Sequence, residues 1–130
     1  MPTGGLAVAA SVAYAMGRPL AYVRKEAKAH GTCKRVEGGL VAGGAVFVIE
    51  DVVTTGGSAA AALGPLLEVG GPGVVDAVFT IIDRQGGGEE RLRREGVELH
   101  SLITLTEIVR CLRVEGRITR EVAEHACGGR

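Results

Sequence analysis

The sequence predicts an α/β domain built on a parallel sheet, and three observations predict it. Residues 45–50 are a continuous apolar run, the pattern of a strand buried on both faces of a parallel sheet, and residues 74–82 read as a second long apolar strand. Segments of helical composition alternate with them. Glycine-rich loops then close the apolar runs at their C-terminal ends. Strand–helix–strand alternation is the signature of a parallel sheet, whose ligands sit outside the C-terminal ends of the strands.

Each element has a local reason. Residues 6–16 are apolar and Ala-rich and end at Gly17, which predicts a buried helix. Arg18-Pro19 makes a turn, and residues 20–24 read as a short strand. From 25 to 44 the chain becomes charged and glycine-rich, with Gly31, Gly38, Gly39, Gly43 and Gly44, and is expected to be a mobile loop. After the strand at 45–50, residues 58–69 form a helix, imperfect around Gly64-Pro65. Gly70 to Gly73 is a turn into the strand at 74–82. Residues 89–95 are a short charged helix stopped by Gly96, and 97–102 a further strand. A helix at 106–114 takes Thr106 or Thr104 as its N-cap, and 119–126 is a last short helix.

Composition narrows the class. The chain has 130 residues, enough for one domain, and is 46% hydrophobic but only 3% aromatic, so the core is aliphatic. Fifteen basic residues balance fifteen acidic ones, which speaks against a nucleic-acid partner. No apolar run approaches the ~18 residues of a membrane span. Residues 13–15 (Ala-Tyr-Ala) mimic a signal-peptidase site, but no Lys or Arg precedes the apolar stretch, so a buried helix is the stronger reading. Cys33, Cys111 and Cys127 are odd in number and lack metal-ligand spacing, as expected of reduced thiols in a cytoplasmic protein.

Glu50 and Asp51 are adjacent carboxylates at the end of an apolar run, followed by Val52, Val53, Thr54, Thr55, Gly56, Gly57 and Ser58. Two solvated charges closing a strand would be the plain explanation of the pair alone. The loop makes it more specific. Carboxylates accept hydrogen bonds from vicinal ribose hydroxyls. Hydroxyl and glycine residues at a helix start present donors to a phosphate, backed by the helix macrodipole. No Gly-Lys-Ser/Thr element follows, so this is not a Walker A loop.

Arg24, Lys25, Lys28 and His30 open the charged segment. Charge runs are usually solvated faces; beside a phosphate site these cations would stabilise charge on a departing polyphosphate. Arg84, in Asp83-Arg84-Gln85-Gly86-Gly87, is suited to grip a planar carboxylate by two parallel hydrogen bonds. Thr3, Gly4 and Gly5 precede a helix and would lend amide donors to an anion. His100 and His125 read as structural, and Arg91, Arg93 and Arg94 as a solvated helix face paired with Glu89, Glu90 and Glu95.

Together these motifs resemble the orotate phosphoribosyltransferases, within the type I phosphoribosyltransferase fold and its Rossmann-like core. Residues 48–58 look like the family's phosphoribosyl-pyrophosphate (PRPP) motif. Residues 22–31, with Glu37-Gly38, are similar to its flexible catalytic loop, and 83–87 to the segment carrying an orotate-contacting arginine. The resemblance implies one core domain over 1–130 with a flexible catalytic loop at 25–44. It implies transfer of phosphoribosyl from PRPP to orotate, giving orotidine 5′-monophosphate and pyrophosphate with Mg²⁺. Glu50 and Asp51 would hold the ribose hydroxyls, the loop from Val52 to Ser58 the rest of the phosphoribosyl group, and Thr54 and Arg84 the orotate. Lys25 would contact pyrophosphate in its own site, while Arg24, Lys28 and His30 reach a neighbour's, so a homodimer with shared sites is implied. Thr3, Gly4 and Gly5 match the end of the family's pyrophosphate loop.

Members of the family carry a substantial segment before this point, and the sequence opens inside that loop. The expectation is therefore a shortened relative, or a start recorded too late, with the PRPP half intact and the orotate half incomplete. Two further alternatives are a non-catalytic PRPP- or nucleotide-binding relative and a purine-type phosphoribosyltransferase. The cationic loop argues against the first, and Asp83-Arg84-Gln85 against the second.

Overall fold

The computed structural model describes residues 3–24, 35–40, 43–71 and 73–128. In chain order they form α1 (Thr3–Met16), β1 (Ala21–Val23), β2 (Val36–Gly38), β3 (Val46–Val53), α2 (Gly57–Gly70), β4 (Val75–Asp83), α3 (Gly88–Arg94), β5 (Glu98–Thr104), α4 (Leu105–Val114) and α5 (Arg120–Gly128). Strands β3, β4 and β5 make a parallel sheet in that order, as the apolar runs predict. Val48 lies beside Val78, and Val78 beside Leu99.

The core lies where α2 and α3 cover the sheet. Ala59, Leu63 and Leu66 of α2 meet Val75 and Val78 of β4 and Leu92 of α3, with Val74 and Val97 at the strand entrances. Leu92 and Val78 are completely buried. Removing such a side chain from water contributes about 1.5–3 kcal/mol. Pro65 is buried inside α2, which runs on as one helix through it. Helix α2 also touches β1 and β2, so one element ties the small sheet to the large one.

Four expectations are corrected. The segment expected to be a loop over 25–44 contains β2, which pairs antiparallel with β1, Ala21 opposite Gly38 and Val23 opposite Val36. Val36 is buried and Glu37 accepts from the Tyr22 hydroxyl of β1, which helps order a three-residue strand. Gly38 is required there: its φ is +105°, and a Cβ would stand 2.3 Å from the Leu20 carbonyl oxygen. Strand β3 is not buried on both faces. It lies at the edge of the three-stranded sheet, with Phe47 and Val52 exposed. Helix α1 is not buried either. It packs chiefly on β3, and Tyr14 is 91% exposed at its far end. Finally, β3 runs on to Val53 and β5 to Thr104, because pairing with β4 continues through Asp83, and α1 begins already at Thr3.

Candidate active site

Strand β3 delivers Glu50 and Asp51 to the end of the sheet, and α1 arrives against them through two glycines. A Cβ on Gly4 would lie 1.9 Å from Asp51 Oδ2, and one on Gly5 3.0 Å from Glu50 Oε2. Only glycine permits this approach of a helix start to two carboxylates. Thr3, Gly4 and Gly5 thus form the first turn of α1 rather than a loop before it. Backbone N–H groups of a first turn have no partner within their helix. Glu50 is half-buried, and that burial, reinforced by the adjacent Asp51 charge, raises its pKa above the ordinary carboxylate range. Asp51 Oδ1 accepts a hydrogen bond from the Val52 amide at 3.0 Å.

A cleft of about 240 Å³ opens beside them, lined by Glu50 and by residues 52–59. Gly56 caps α2 in the left-handed region (φ 69°) and, being glycine, offers the helix start no side-chain cap. Helix α4 shows the contrast. There Thr104 accepts from the Glu107 amide and Glu107 from the Thr104 amide, a complete capping box. Among the described residues no side chain caps the start of α2, which borders the cleft with the positive end of a 14-residue helix. Thr55 and Ser58 are exposed and Thr54 is half-buried, so their hydroxyls border the same space. Val53 differs: its side chain is 3% exposed and packs toward Gly88, leaving only backbone at the cleft.

The second glycine loop is joined to this one. The Arg84 amide donates to the Val53 carbonyl at 2.8 Å, and the Gly88 amide to the Thr54 carbonyl at 3.0 Å. Gly86 and Gly88 are obligatory, since a Cβ on either would fall within 3 Å of the Thr54 or Val53 side chain. Gln85 holds the turn from its other side. It is the one described non-glycine residue with positive φ (57°), its amide donates to Asp83 Oδ1, and its Oε1 accepts from the Thr106 amide and hydroxyl. Arg84, between Asp83 and Gln85, projects exposed. Two of the three expected loops thus meet. Of the third, Lys25, Lys28 and His30 lie outside the described residues.

Arg24 is described, and it pairs within its own hairpin. Its Nε lies 2.7 Å from Glu37 Oε1 and its Nη2 3.1 Å from Glu37 Oε2, while the Tyr22 hydroxyl donates to Glu37 Oε2. The bond to Glu37 is the main reason its pKa is raised, so the guanidinium stays charged.

One expectation about α3 fails. Arg93 pairs with Glu89 and Glu90, and Arg94 with Glu90, as a solvated face should. Arg91 joins neither pair among the described residues, and its Nη1 instead lies 3.6 Å from where a Gly57 Cβ would stand, at the start of α2. The sequence holds a signal for this. Arg93 and Arg94 have a glutamate four residues before them, whereas Arg91 has Gly87 and Gly88 at the corresponding positions.

A parallel α/β sheet with paired carboxylates at one strand end, beside an uncapped helix start, is an arrangement suited to holding a sugar phosphate. The chain belongs to the phosphoribosyl transferase domain family, whose model matches residues 1–112. Within it, the chain is similar to the orotate phosphoribosyltransferase of Cenarchaeum symbiosum (strain A), 41% identical over 128 residues, 98% of this chain and 63% of that protein. It is similar too to the crystal structure of orotate phosphoribosyltransferase from Aeropyrum pernix, with TM-score 0.75 and 40% identity over 92% of this chain and 64% of that one. The Mycobacterium tuberculosis orotate phosphoribosyltransferase solved in complex with PRPP matches with TM-score 0.59 and 36% identity, over 69% of this chain and 49% of that one. The chain therefore spans less than two thirds of the length of these relatives.

Proposed function

We propose that this chain carries the PRPP-binding core of an orotate phosphoribosyltransferase, which joins orotate to the anomeric carbon of PRPP and releases pyrophosphate. The observation that carries the reading is the placement of Glu50 and Asp51 beside the uncapped start of α2, with the Arg84 turn bonded to the same loop. In this reading the carboxylates hold the ribose hydroxyls. The amides and hydroxyls of residues 54–58 hold the 5′-phosphate. Arg84, with Thr54, orients the orotate carboxylate. The amides of Thr3, Gly4 and Gly5 face the pyrophosphate end, close to Asp51.

Displacement at an anomeric carbon passes through an oxocarbenium-like state that water intercepts. A lid carried by residues 25–34, between β1 and β2, would exclude water and bring cations to the departing pyrophosphate. Lys25 would serve its own site, and Lys28, His30 and Arg24 a partner's site in a homodimer. Arg24 would have to leave Glu37 to do so. Mg²⁺ would retain waters and be held through substrate oxygens rather than in a protein cage. When bound it would offset charge on the pyrophosphate. No helix among the described residues is long and apolar enough to cross a membrane. A cytoplasmic setting accords with thiols at Cys111 and Cys127.

The test is orotate consumption with Mg²⁺, with and without PRPP. PRPP-dependent loss of orotate with formation of orotidine monophosphate supports the reading. Folded protein that binds PRPP without turnover would make it a non-catalytic binding relative, and folded protein that binds neither substrate would sink both.

A further inference from the structure

We propose that Arg91 of α3 is a side-chain ligand of the 5′-phosphate, supplied from outside the phosphate loop. The inference rests on the phosphoribosyl reading above and adds to it a residue on another element.

The loop itself is electrically incomplete. Residues 52–59 line the cleft and include no lysine or arginine, and the neighbouring Glu50 and Asp51 are acidic. A 5′-phosphate carries close to two negative charges near neutral pH. Amides, hydroxyls and a helix start give it donors but only fractional positive charge. A full cation nearby would strengthen that hold, provided it comes from outside the loop, where a long side chain would fill the cleft.

Arg91 meets that condition. Its Nη1 lies 3.6 Å from the Cβ position of Gly57, the first residue of α2. Gly57 lines the cleft and carries no side chain, so the guanidinium has room to swing toward a phosphate held there. Arg91 is exposed, so turning toward a phosphate costs it no buried contact. Its neighbours on α3 are engaged, Arg93 by Glu89 and Glu90 and Arg94 by Glu90, while Arg91 has no such pair among the described residues. Its base is also fixed. The Gly88 amide bonds to the Thr54 carbonyl, and a Cβ on Gly56 would lie 3.1 Å from the Gly88 carbonyl oxygen, so the start of α3 is seated on the loop that α2 leaves from.

Ribose 5-phosphate tests this, because its one anionic group is the phosphate in question. Its affinity is measured by calorimetry for the parent chain, Arg91→Ala and Arg91→Lys, alongside inorganic pyrophosphate. Arg91→Ala is expected to weaken ribose 5-phosphate roughly tenfold, the low end for a hydrogen bond to a charged group. Arg91→Lys should recover part of the loss, and pyrophosphate affinity and melting temperature should hold in both. Unchanged ribose 5-phosphate affinity in Arg91→Ala overturns the assignment and leaves the phosphoribosyl reading standing. An equal loss for both ligands also overturns it, since that reports general charge and not a phosphate contact. A parent chain that is folded and binds no ribose 5-phosphate overturns the functional reading, and this one with it.

Discussion

Gly4→Ala is the sharpest test of how the carboxylates are positioned. The new methyl would stand 1.9 Å from Asp51 Oδ2, 2.7 Å from its Cγ and 3.4 Å from its Cβ. An unstrained contact is about 3.5 Å, so the carboxylate must retreat by roughly 1.5 Å. The atom struck is the far end of a rotatable side chain, so the strain is small, about 0.5–1.5 kcal/mol for an off-rotamer torsion. Alanine recovers about 0.5–1 kcal/mol over glycine within a helix. Stability should therefore change by less than about 1 kcal/mol. Function should not be so forgiving. A 1 Å misplacement of a positioning group costs about 100-fold, so kcat/KM for PRPP should fall by about that factor. The assay pairs urea denaturation with PRPP-dependent orotate consumption on the same preparation. A folded variant with kcat/KM within threefold of the parent would falsify the placement of Asp51 at the ribose.

Leu92→Ala empties a completely buried site and should lower stability by about 2–5 kcal/mol in urea denaturation, a large share of a domain's usual total. A loss under 1 kcal/mol would mean α3 is not part of the core. Glu50→Gln addresses pH. Because the folded-state pKa of Glu50 is raised by burial and by Asp51, the folded chain binds its proton more tightly than the unfolded chain, and stability declines as pH rises from the ordinary carboxylate range through that raised value. The variant should melt higher than the parent at neutral pH and equally below that window, while losing PRPP use; a melting difference that persists at low pH would contradict this. Lys28→Ala mixed with Asp51→Asn tests shared sites. Each should be inactive alone, and verified mixed dimers should regain part of the activity. No recovery would count against a loop that crosses between subunits.

The parallel sheet and the helices were legible because both depend on local pattern. Residues 74–82 are apolar apart from Asp76 and Thr80, which marks a strand of the sheet, and Thr104 with Glu107 spells a capping box in four letters. What lay hidden depends on neighbours. An apolar run reads the same whether one strand or two lie beside it, so the exposure of β3 could not be seen in residues 45–50. The same holds for α1, whose alanines fit a buried helix and also one resting on a single strand. Strand β2 escaped because three residues are too few to show a period, and its order comes from Tyr22 and Arg24 meeting Glu37 across the hairpin. At the site, the carboxylates and the glycine loops were readable as chemistry. The closeness of Gly4 to Asp51 was not, because it joins residues far apart in sequence.

The two backbone bonds between the glycine loops, Arg84 to Val53 and Gly88 to Thr54, have a consequence for how such a site diversifies. They are made by main-chain atoms, which no ordinary substitution removes. The side chains at the two ends, Ser58 and Arg84, are exposed and can be exchanged without touching them. The chemistry at either end is thus free to vary while the distance between the ends is held, as in a gauge whose jaws are replaceable and whose frame is not.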